Sequence, residues 1–351
     1  MKKVILITNE LLQYRIEVYN FFYERLSKKN MELFVLANKI QDNISNEIKF
    51  KHKIIPFKKY LSEINRYNPD TAVIFLNLSY LIIWPTIYFL KLKNIPFIYW
   101  SHGLNLQNPK NKIKNMFYFH IHNISSSILL YTPNQIKYIK KKNHKKIFIA
   151  NNTLNFNNFP LIKQTKEELR QEYNINFDKI LLYVSRILPY KRVDILINIF
   201  EKFENNFGLI IVGGGMPPEL INRIDKITNI KYLNAIYDNK IVNRYFKLSD
   251  LFCIPGANGL SINQAMYWGL PCLTLDVLQG PEVWYIKQGE TGYVVENENE
   301  LKEKIQYLFK NKEELKRMSN NSYNLMRTDG SIEKMFEGFY NAIKYNIDAG
   351  H

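Results

Sequence analysis

The feature that most constrains the fold is an end-to-end alternation of short apolar runs with helix-length segments. Short apolar runs predict buried strands, and strands that alternate with helices are typical of parallel βαβ units. A first series of runs covers residues 4–8, 31–37, 53–55, 72–76, 97–100, 128–131 and 147–150, and a second covers 180–184, 208–212, 230–233, 251–254, 271–275 and 292–295. The sequence therefore predicts an α/β protein with two doubly wound parallel sheets.

The length of the chain favours two domains. A chain of 351 residues exceeds the size at which one hydrophobic core keeps growing. Residues 151–165 are rich in Asn, contain Pro160 and show no clear period, so we place the linker there. The predicted domains are residues 1–160 and 161–330. Open α/β sheets bind ligands at the carboxyl ends of their strands, so we expect the site in a cleft between the domains.

Several features predict a cytoplasmic protein. The apolar run after Met1 is too short for a secretory signal. Cys253 and Cys272 lie inside apolar segments, so we expect buried free thiols in a reducing compartment and no disulfide. The longest apolar stretch, residues 71–90, is interrupted by Asn77 and Pro85. We therefore predict a strand and an apolar helix there rather than a membrane span.

The net charge of +16 attracts polyanions in general, including nucleic acid, anionic lipid and phosphorylated substrates. Lysines are dense at residues 110–114 and again at 136–146, where Tyr138 and Ile139 lie among them. The second segment is either a helix that lies on an anionic membrane or a solvated lysine-rich surface.

Cations dominate the loop that follows the first strand of the second series. Arg186, Lys191 and Arg192 lie between that strand and a predicted helix at 192–203. Arg offers a planar fork, Lys a mobile charge and a helix N-terminus free N–H groups, and phosphates favour all three. The loop is either a phosphate site or an ordinary basic loop.

Glycines follow the next strand. Gly213, Gly214 and Gly215 come directly after Val212, and glycine lets a backbone approach a ligand or adopt a positive φ. A plain strand-to-helix turn explains one glycine better than three.

A glycine loop also follows strand 251–254. Gly259 and Leu260 lead into a predicted short helix that starts at Ser261. Ser261 and Gln264 have the spacing of a capping box, which gives both residues a structural role. In the alternative interpretation the helix start binds a diphosphate, while Asn263 or Gln264 reaches the ribose hydroxyls. Glu282, which follows a Gly-Pro turn, adds a carboxylate that belongs either to the surface or to the ligand site.

The order of these elements resembles the donor-binding domain of family 4 glycosyltransferases, which have the GT-B fold. The resemblance covers residues 181–295 well and the first half loosely. It implies two Rossmann-like domains that face a cleft, with a last helix at 331–347 that packs back on the first domain. It also implies that Arg186 and Lys191 hold the donor diphosphate and that Glu282 contacts the donor sugar. The other implied donor-binding residues are Gly213, Gly214, Gly259, Leu260, Ser261, Asn263 and Gln264.

The chain departs from the family at one point. Family members carry two glutamates eight positions apart, and the matching positions here are Gly256 and Gln264. Gln264 can still bind ribose, but Gly256 offers no side chain to the donor sugar. We therefore interpret the chain as an atypical member.

The first half offers fewer candidates. His102 follows a strand, as a similar histidine does in many relatives, where it faces the donor sugar and the acceptor; the alternative is a histidine satisfied in a turn. Tyr14 and Arg15 follow the first strand, where an acceptor loop is expected.

We predict a glycosyltransferase that moves a hexose-like residue from a UDP- or GDP-sugar to a glycan or lipid-linked acceptor. Its expected setting is the synthesis of bacterial surface polysaccharide, such as lipopolysaccharide or capsule, at the inner face of the membrane. Paired cations can stabilise the departing diphosphate without a metal or cofactor, and no Asp-x-Asp motif is present. A retaining outcome is implied by the resemblance alone. The alternatives are a non-hydrolysing sugar-nucleotide epimerase and a basic nucleic-acid-binding protein, although we expect no nucleic-acid partner.

Overall fold

The computed structural model describes residues 1–41, 47–106 and 108–349. The chain divides into two compact units, of which the second is residues 156–331. The first unit contains residues 1–155 and also the final helix, Ile332–Asp348. The division after Asn155 falls inside the Asn-rich segment predicted as the linker.

The first unit is built on a seven-stranded parallel sheet in the order β5-β3-β1-β6-β7-β8-β9, beside a two-stranded sheet of β2 and β4. Its strands are β1 (Lys2–Thr8), β2 (Glu10–Leu11), β3 (Met31–Ala37), β4 (Lys39–Ile40), β5 (Lys51–Ile54), β6 (Thr71–Phe75), β7 (Phe97–Ser101), β8 (Ser127–Leu130) and β9 (Ile147–Ile149). Its helices are α1 (Gln13–Ser27), α2 (Tyr60–Tyr67), α3 (Ile83–Leu92), α4 (Lys112–Ile124) and α12 (Ile332–Asp348).

The strand order of this sheet reverses next to β1. The chain moves outward from β1 to β3 and β5 and then returns to β6 on the other side. Ligands of open α/β sheets bind at such a switch point, outside the carboxyl ends of the strands. The start of α1, which carries Arg15, and the loop after β7, which carries His102, lie at this edge.

Helix α12 completes the core of the first unit. The rings of Phe339 and Phe22 stack with their centroids 4.5 Å apart, and Asn346 Nδ2 donates to Thr71 Oγ1 at 3.2 Å. Gly338 lies directly on the backbone of β9, where a Cβ would overlap the carbonyl oxygen of Ile149. The helix therefore belongs to the first unit although it follows the second in the chain.

The second unit contains a six-stranded parallel sheet in the order β12-β11-β10-β13-β14-β15. Its strands are β10 (Lys179–Val184), β11 (Phe207–Val212), β12 (Ile230–Leu233), β13 (Leu251–Cys253), β14 (Cys272–Leu275) and β15 (Gly292–Val295). Its helices are α5 (Lys166–Glu172), α6 (Val193–Phe200), α7 (Pro218–Ile224), α8 (Asn239–Leu248), α9 (Ser261–Tyr267), α10 (Glu298–Lys310) and α11 (Lys312–Arg327). Every strand predicted from the sequence is confirmed in one of the two sheets, with small differences at the ends.

Of the two alternatives for residues 136–146, the amphipathic helix is wrong. The chain forms two short 3-10 turns there, Pro133–Tyr138 and Lys141–Lys146. Ile139 lies between them and packs in an apolar cluster with Ile128 and Leu130. Ile136 and Ile139 are thus used by the protein's own core, and the two short turns do not form the continuous apolar helix face that a membrane would need.

The apolar stretch at residues 71–90 forms strand β6 and most of helix α3, as predicted. Within the described ranges, no helix combines the length and the apolar character needed to cross a membrane. Cys253 and Cys272 are free and buried, as predicted.

Candidate active site

The predicted donor-binding residues of the second unit lie on loops at one edge of its sheet. The loops follow β10, β11, β13 and β14, which are adjacent in the sheet. Because the strands are parallel, their carboxyl ends meet at the same edge. The structure thus collects the cationic loop, both glycine loops and the Glu282 loop in one place.

The loops after β10 and β11 are in direct backbone contact. Ile187 N donates to Gly214 O at 2.9 Å. A Cβ at Gly213 would overlap the carbonyl oxygen of Ser185. Gly215 has a φ of +93°, a conformation that favours glycine. The fold itself therefore explains the glycines at positions 213 and 215 without a ligand.

The loops after β10 and β13 are also joined through their backbones. Gly256 N donates to Lys191 O at 3.0 Å, and Ala257 N donates to Tyr190 O at 3.1 Å. A Cβ at Gly256 would overlap the same Tyr190 oxygen. At the position where the resemblance expects a glutamate, this chain needs a glycine for the two loops to meet.

The three cations of the β10 loop differ in their surroundings. Arg186 is exposed, and its guanidinium makes no hydrogen bond or ion pair with the described part of the chain. Lys191 is half-buried and its Nζ donates to the carbonyl of Ala257. Burial lowers the pKa of Lys191, and the nearby charge of Glu282 opposes that shift. Arg192, in contrast, is engaged in an ion pair with Glu298 at 2.9 Å.

Arg192 also adopts an unusual backbone conformation. It has a φ of +56° and precedes the first residue of α6. Left-handed backbone is ordinarily taken by glycine, and family members have Lys-Gly where this chain has Lys191-Arg192. Arg192 therefore adopts a left-handed backbone conformation that a glycine would adopt more easily.

Glu282 lies on a 3-10 turn, Pro281–Tyr285, and is buried, with 4% of its surface exposed. The surface interpretation of this carboxylate is therefore wrong. The preceding Gln279 fixes the loop: its Oε1 accepts from Asn258 N at 2.8 Å, and its Nε2 donates to Gly256 O at 3.1 Å. Sequence reasoning missed Asn258 and Gln279, since a single amide in a loop carries no recognisable spacing.

Helix α9 begins at Ser261, as predicted, but the predicted capping box is not formed. Ser261 is the first helical residue and Leu260 occupies the cap position, where no side chain caps the helix. Gln264 instead donates from Nε2 to Oδ1 of Asn243 on α8, at 3.2 Å. Asn263 is fully buried inside the unit. Of the two amides proposed for ribose, only Gln264 is partly exposed.

Gly259 differs from the other glycines of this edge. No atom lies within 4 Å of the position that a Cβ would occupy. Packing within the unit therefore does not explain why a side chain is absent. A bound molecule that approaches the backbone would explain it.

The first unit brings together all three of its predicted site residues. Arg15 is buried, while Tyr14 and His102 remain partly exposed. The guanidinium carbon lies 5.2 Å from the ring centroid of Tyr14, and the charge of Arg15 acts on His102. The ring of His102 packs against Tyr131 with centroids 4.6 Å apart.

The protonation state of His102 is fixed by its environment. Burial, and secondarily the positive charge of Arg15, lower the pKa of His102 to about 4. Nδ1 of the ring lies 3.2 Å from Nε2 of Gln135. Oε1 of Gln135 accepts from the backbone N–H groups of Tyr131 and Thr132, at 2.9 and 3.2 Å. The Gln135 amide therefore presents its NH₂ group to His102, so Nδ1 accepts and the proton is on Nε2.

Sequence reasoning missed Gln135, although a signal existed. Thr132 and Gln135 have the same spacing as a capping box, with Pro133 at the first position of the turn. Separately, no group of three or more His, Cys, Asp or Glu residues within the described ranges could hold a metal ion.

Similarity to solved structures defines the fold class of the protein. The chain is similar to the crystal structure of the Anabaena protein HepE in complex with UDP, with a TM-score of 0.78, 13% identity and coverage of 98% of this chain and 100% of that one. Such a likeness shows the fold, which is the two-domain Rossmann-like GT-B fold of glycosyltransferases.

The family comparison is more specific. Residues 165–325 match the model of the family described as Glycosyl transferases group 1. This match, to a group 1 glycosyltransferase domain, covers most of the second unit.

Two curated relatives agree with this domain assignment. The N-acetyl-alpha-D-glucosaminyl L-malate synthase of Bacillus anthracis is 31% identical over 145 residues, which are 38% of this chain and 36% of the relative. The poly(ribitol-phosphate) alpha-N-acetylglucosaminyltransferase of Staphylococcus aureus is 25% identical over 198 residues, which are 54% of this chain and 37% of the relative. The chain thus spans little more than a third of the length of these two relatives.

Proposed function

We propose that the chain transfers a sugar from a nucleotide diphospho-sugar to a glycan or lipid-linked acceptor in the synthesis of bacterial surface polysaccharide. The observation that carries the proposal is the edge of the second unit, where the unpaired, exposed Arg186 and the half-buried Lys191 lie on one loop, beside the buried Glu282. The structure of HepE with UDP supports the donor class. The name of the Staphylococcus aureus relative, which specifies poly(ribitol-phosphate), supports a polymeric acceptor.

In this proposal the two cations act on the diphosphate. Arg186 supplies a planar fork to phosphate oxygens, and Lys191 supplies a charge close to the bond that breaks. The bond between the anomeric carbon and the diphosphate oxygen breaks, and a bond from an acceptor hydroxyl oxygen to that carbon forms as the hydroxyl proton leaves. The diphosphate departs with an added negative charge, which preorganised cations stabilise without a metal. Retention of configuration is part of the proposal.

Two further groups have a role in the proposal, His102 of the first unit and Glu282 of the second. His102 presents a neutral Nε2–H, which is suited to donate to a sugar hydroxyl, and its low pKa keeps this donor uncharged at neutral pH. Glu282 contacts the donor sugar, in place of the glutamate that Gly256 replaces. The backbone at Gly259 approaches the donor because no side chain stands there.

Thermal unfolding of the full chain with nucleotides tests the proposal. We expect UDP or GDP to raise the unfolding temperature, since a ligand that binds only the folded state stabilises it. The nucleotide with the larger effect identifies the donor base. Stabilisation by DNA or RNA, with none from either nucleotide, would overturn the transferase proposal in favour of a nucleic-acid-binding protein.

We also propose that the first unit associates with an anionic membrane, through a surface other than the one predicted from the sequence. Helices α3 and α4 pack side by side: the rings of Trp84 and Phe117 are 5.5 Å apart, and Tyr88 Oη lies 2.9 Å from His120 Nε2. Their outer face, which we call the α3–α4 face, exposes large apolar side chains among lysines. These residues are Tyr88, Leu92, Ile113, Met116 and Phe117, with Lys91, Lys93, Lys110, Lys112 and Lys114.

The composition of the α3–α4 face matches an anionic interface, because apolar side chains enter the lipid boundary while lysines contact the head groups. Ile113 is 71% exposed and Met116 is 63% exposed. We expect the double variant Ile113→Ser, Met116→Ser to lose binding to vesicles that contain anionic lipid. The control for charge alone is the double variant Lys141→Gln, Lys142→Gln, which changes lysines of the 3-10 turn at Lys141–Lys146, outside the α3–α4 face. Equal binding by wild type and the Ser variant would refute the proposal.

A further inference from the structure

Arg15 is a buried cation without an anionic partner. It is the third residue of α1, only 4% of its surface is exposed, and its Nε and Nη1 atoms make no hydrogen bond. No described carboxylate forms an ion pair with it; its titratable neighbours are Tyr14, Tyr131 and Tyr19, which are neutral at pH 7, and its one side-chain hydrogen bond is with the neutral hydroxyl of Tyr14. Arginine cannot lose its proton in a protein. A buried charge in this position is costly unless something compensates it.

The surroundings of the guanidinium are aromatic. Its central carbon lies 4.9 Å from the ring centroid of Phe75 and 5.5 Å from that of Trp100, and Tyr14 adds a third ring. Cation–π attraction compensates part of the cost of burial. It does not satisfy the N–H groups, which lie in the plane of the guanidinium and need an acceptor.

Other donors nearby also lack an acceptor. The indole Nε1 of Trp100 is buried with no hydrogen-bond partner, and so is the hydroxyl of Tyr19, which lies one helical turn after Arg15. Every unsatisfied group in this cluster can donate a proton to a hydrogen bond. An acceptor that carries negative charge satisfies the donors and compensates the charge together. A neutral hydroxyl could satisfy the donors but would not compensate the charge.

The cluster lies just below the surface of the first unit. Tyr14 and His102, both near Arg15, are partly exposed. His102 cannot itself be the anion, since it is neutral. The cluster is at the switch point of the sheet, between the ends of β1 and β7, which is where an open α/β sheet takes its ligand.

We propose that Arg15 and Trp100 form a subsite for an anionic group, a carboxylate or a phosphate, of the acceptor. This inference rests on the proposed function, and it narrows the acceptor to an acidic or phosphorylated glycan or lipid. Arg15 binds the group through its planar fork, and Trp100 adds a donor that fixes its orientation. Neutral acceptors then bind more weakly because they leave the charge of Arg15 uncompensated.

Thermal unfolding of the full chain tests the subsite, with the chain saturated with whichever of UDP and GDP stabilises it more, so that the second unit is occupied. The probes are inorganic phosphate and malonate, each compared with sodium chloride at the same ionic strength. We expect at least one probe to raise the unfolding temperature of wild type beyond the chloride control, and the more effective probe reports whether phosphate or carboxylate is preferred. The rise should be lost in Arg15→Met and retained in Arg25→Met, which removes an exposed arginine from the same helix.

A second variant guards against misfolding of Arg15→Met. Trp100→Phe keeps the ring but removes the indole N–H, and we expect it to reduce the anion-dependent rise. An equal rise in wild type and Arg15→Met, or no rise in wild type with either probe, would overturn the inference. Failure of the proposed function looks different, because neither UDP nor GDP would then stabilise wild type.

Discussion

Gln135 holds the ring of His102 in one tautomer, with its Nε2 placed 3.2 Å from Nδ1 of the histidine. The orientation of the Gln135 amide is set by its own oxygen, which accepts from two backbone N–H groups. Burial and the charge of Arg15 keep the ring neutral, with a pKa of about 4. The proton on Nε2, which the proposed mechanism uses, is therefore positioned by a residue that need not touch the substrate.

The Gln135→Glu variant tests this relationship. A carboxylate in the same place can accept from Nδ1–H, so it favours the other tautomer and the charged ring. We expect the pKa of His102 to rise above 4 in an NMR titration and the pH dependence of transfer to shift with it. Asn134→Asp, an exposed neighbour, adds the same charge and is the control. An unchanged His102 titration in Gln135→Glu would contradict the assignment.

A second histidine, His122, should make the stability of the protein depend on pH. His122 is fully buried, and burial, with a smaller effect of Lys146, lowers its pKa to about 3. The folded protein therefore binds fewer protons than the unfolded chain between pH 3 and 6.5, so its stability falls as pH drops through that window. Between pH 7 and 5 this group costs about 2 kcal/mol.

Urea unfolding at pH 7 and pH 5 measures this loss. His122→Leu should lose less stability than wild type between the two pH values. His52→Leu, which removes an exposed histidine, should behave like wild type. Parallel losses in all three proteins would show that His122 is not the source.

Alanine should destabilise the fold at Gly256 but not at Gly259, three positions later. Gly256→Ala places a Cβ against the Tyr190 carbonyl, and overpacking of this kind costs roughly 1–3 kcal/mol. Gly259→Ala meets no atom, so its free energy of unfolding should stay near that of wild type.

If the backbone at Gly259 contacts the donor, UDP binding by Gly259→Ala should weaken about tenfold, a loss of about 1.4 kcal/mol. Calorimetric titration with UDP measures this, and wild-type affinity would remove Gly259 from the site.

Lys191 should be more important for transfer than for folding. Its Nζ bonds one backbone carbonyl, so Lys191→Ala should cost only about 1 kcal/mol of stability. Loss of a group that stabilises developing charge lowers kcat by about 100-fold or more. Lys202→Ala, an exposed lysine of the same unit, is the control. Turnover of Lys191→Ala close to that of wild type would show that the diphosphate assignment is wrong.

Gly338→Ala tests the attachment of α12. The added Cβ would overlap the carbonyl of Ile149, so the helix must move away from β9. We expect a lower unfolding temperature and faster amide hydrogen exchange in β8 and β9. Glu337→Ala, at an exposed neighbouring position, should leave both measurements unchanged. A Gly338→Ala protein as stable as wild type would contradict the packing described for α12.

The strands and the loops of the second unit could be predicted because their signals are local. Each buried strand is a continuous apolar run, and parallel strands bring the loops that follow them to one edge. Arg186, Lys191 and Glu282 could therefore be assigned to neighbouring loops without a structure. The role of Gly256 could not, because it depends on contact with the Tyr190 carbonyl, which is distant in sequence.

Errors arose where a local pattern had a competing tertiary use. The segment around Ile139 has lysines beside apolar residues, but Ile139 is buried against Ile128, and that contact cannot be foreseen from spacing. The Ser261–Gln264 pair has capping-box spacing, yet the helix begins one residue earlier than a Ser261 cap requires, and Gln264 bonds Asn243 instead. The same spacing at Thr132 and Gln135 was overlooked, and there the side chain does accept from the backbone.

The position of α12 has a consequence for biosynthesis. Strands β1 to β9 leave the ribosome first, but the helix that covers them is encoded after residue 331. The second unit, whose residues are contiguous, can fold while the first still exposes Phe22, Trp100 and the neighbouring apolar surface that α12 covers. The first half to be synthesised is thus the last to be completed, and a chaperone that shields newly made chains would be expected to act on it.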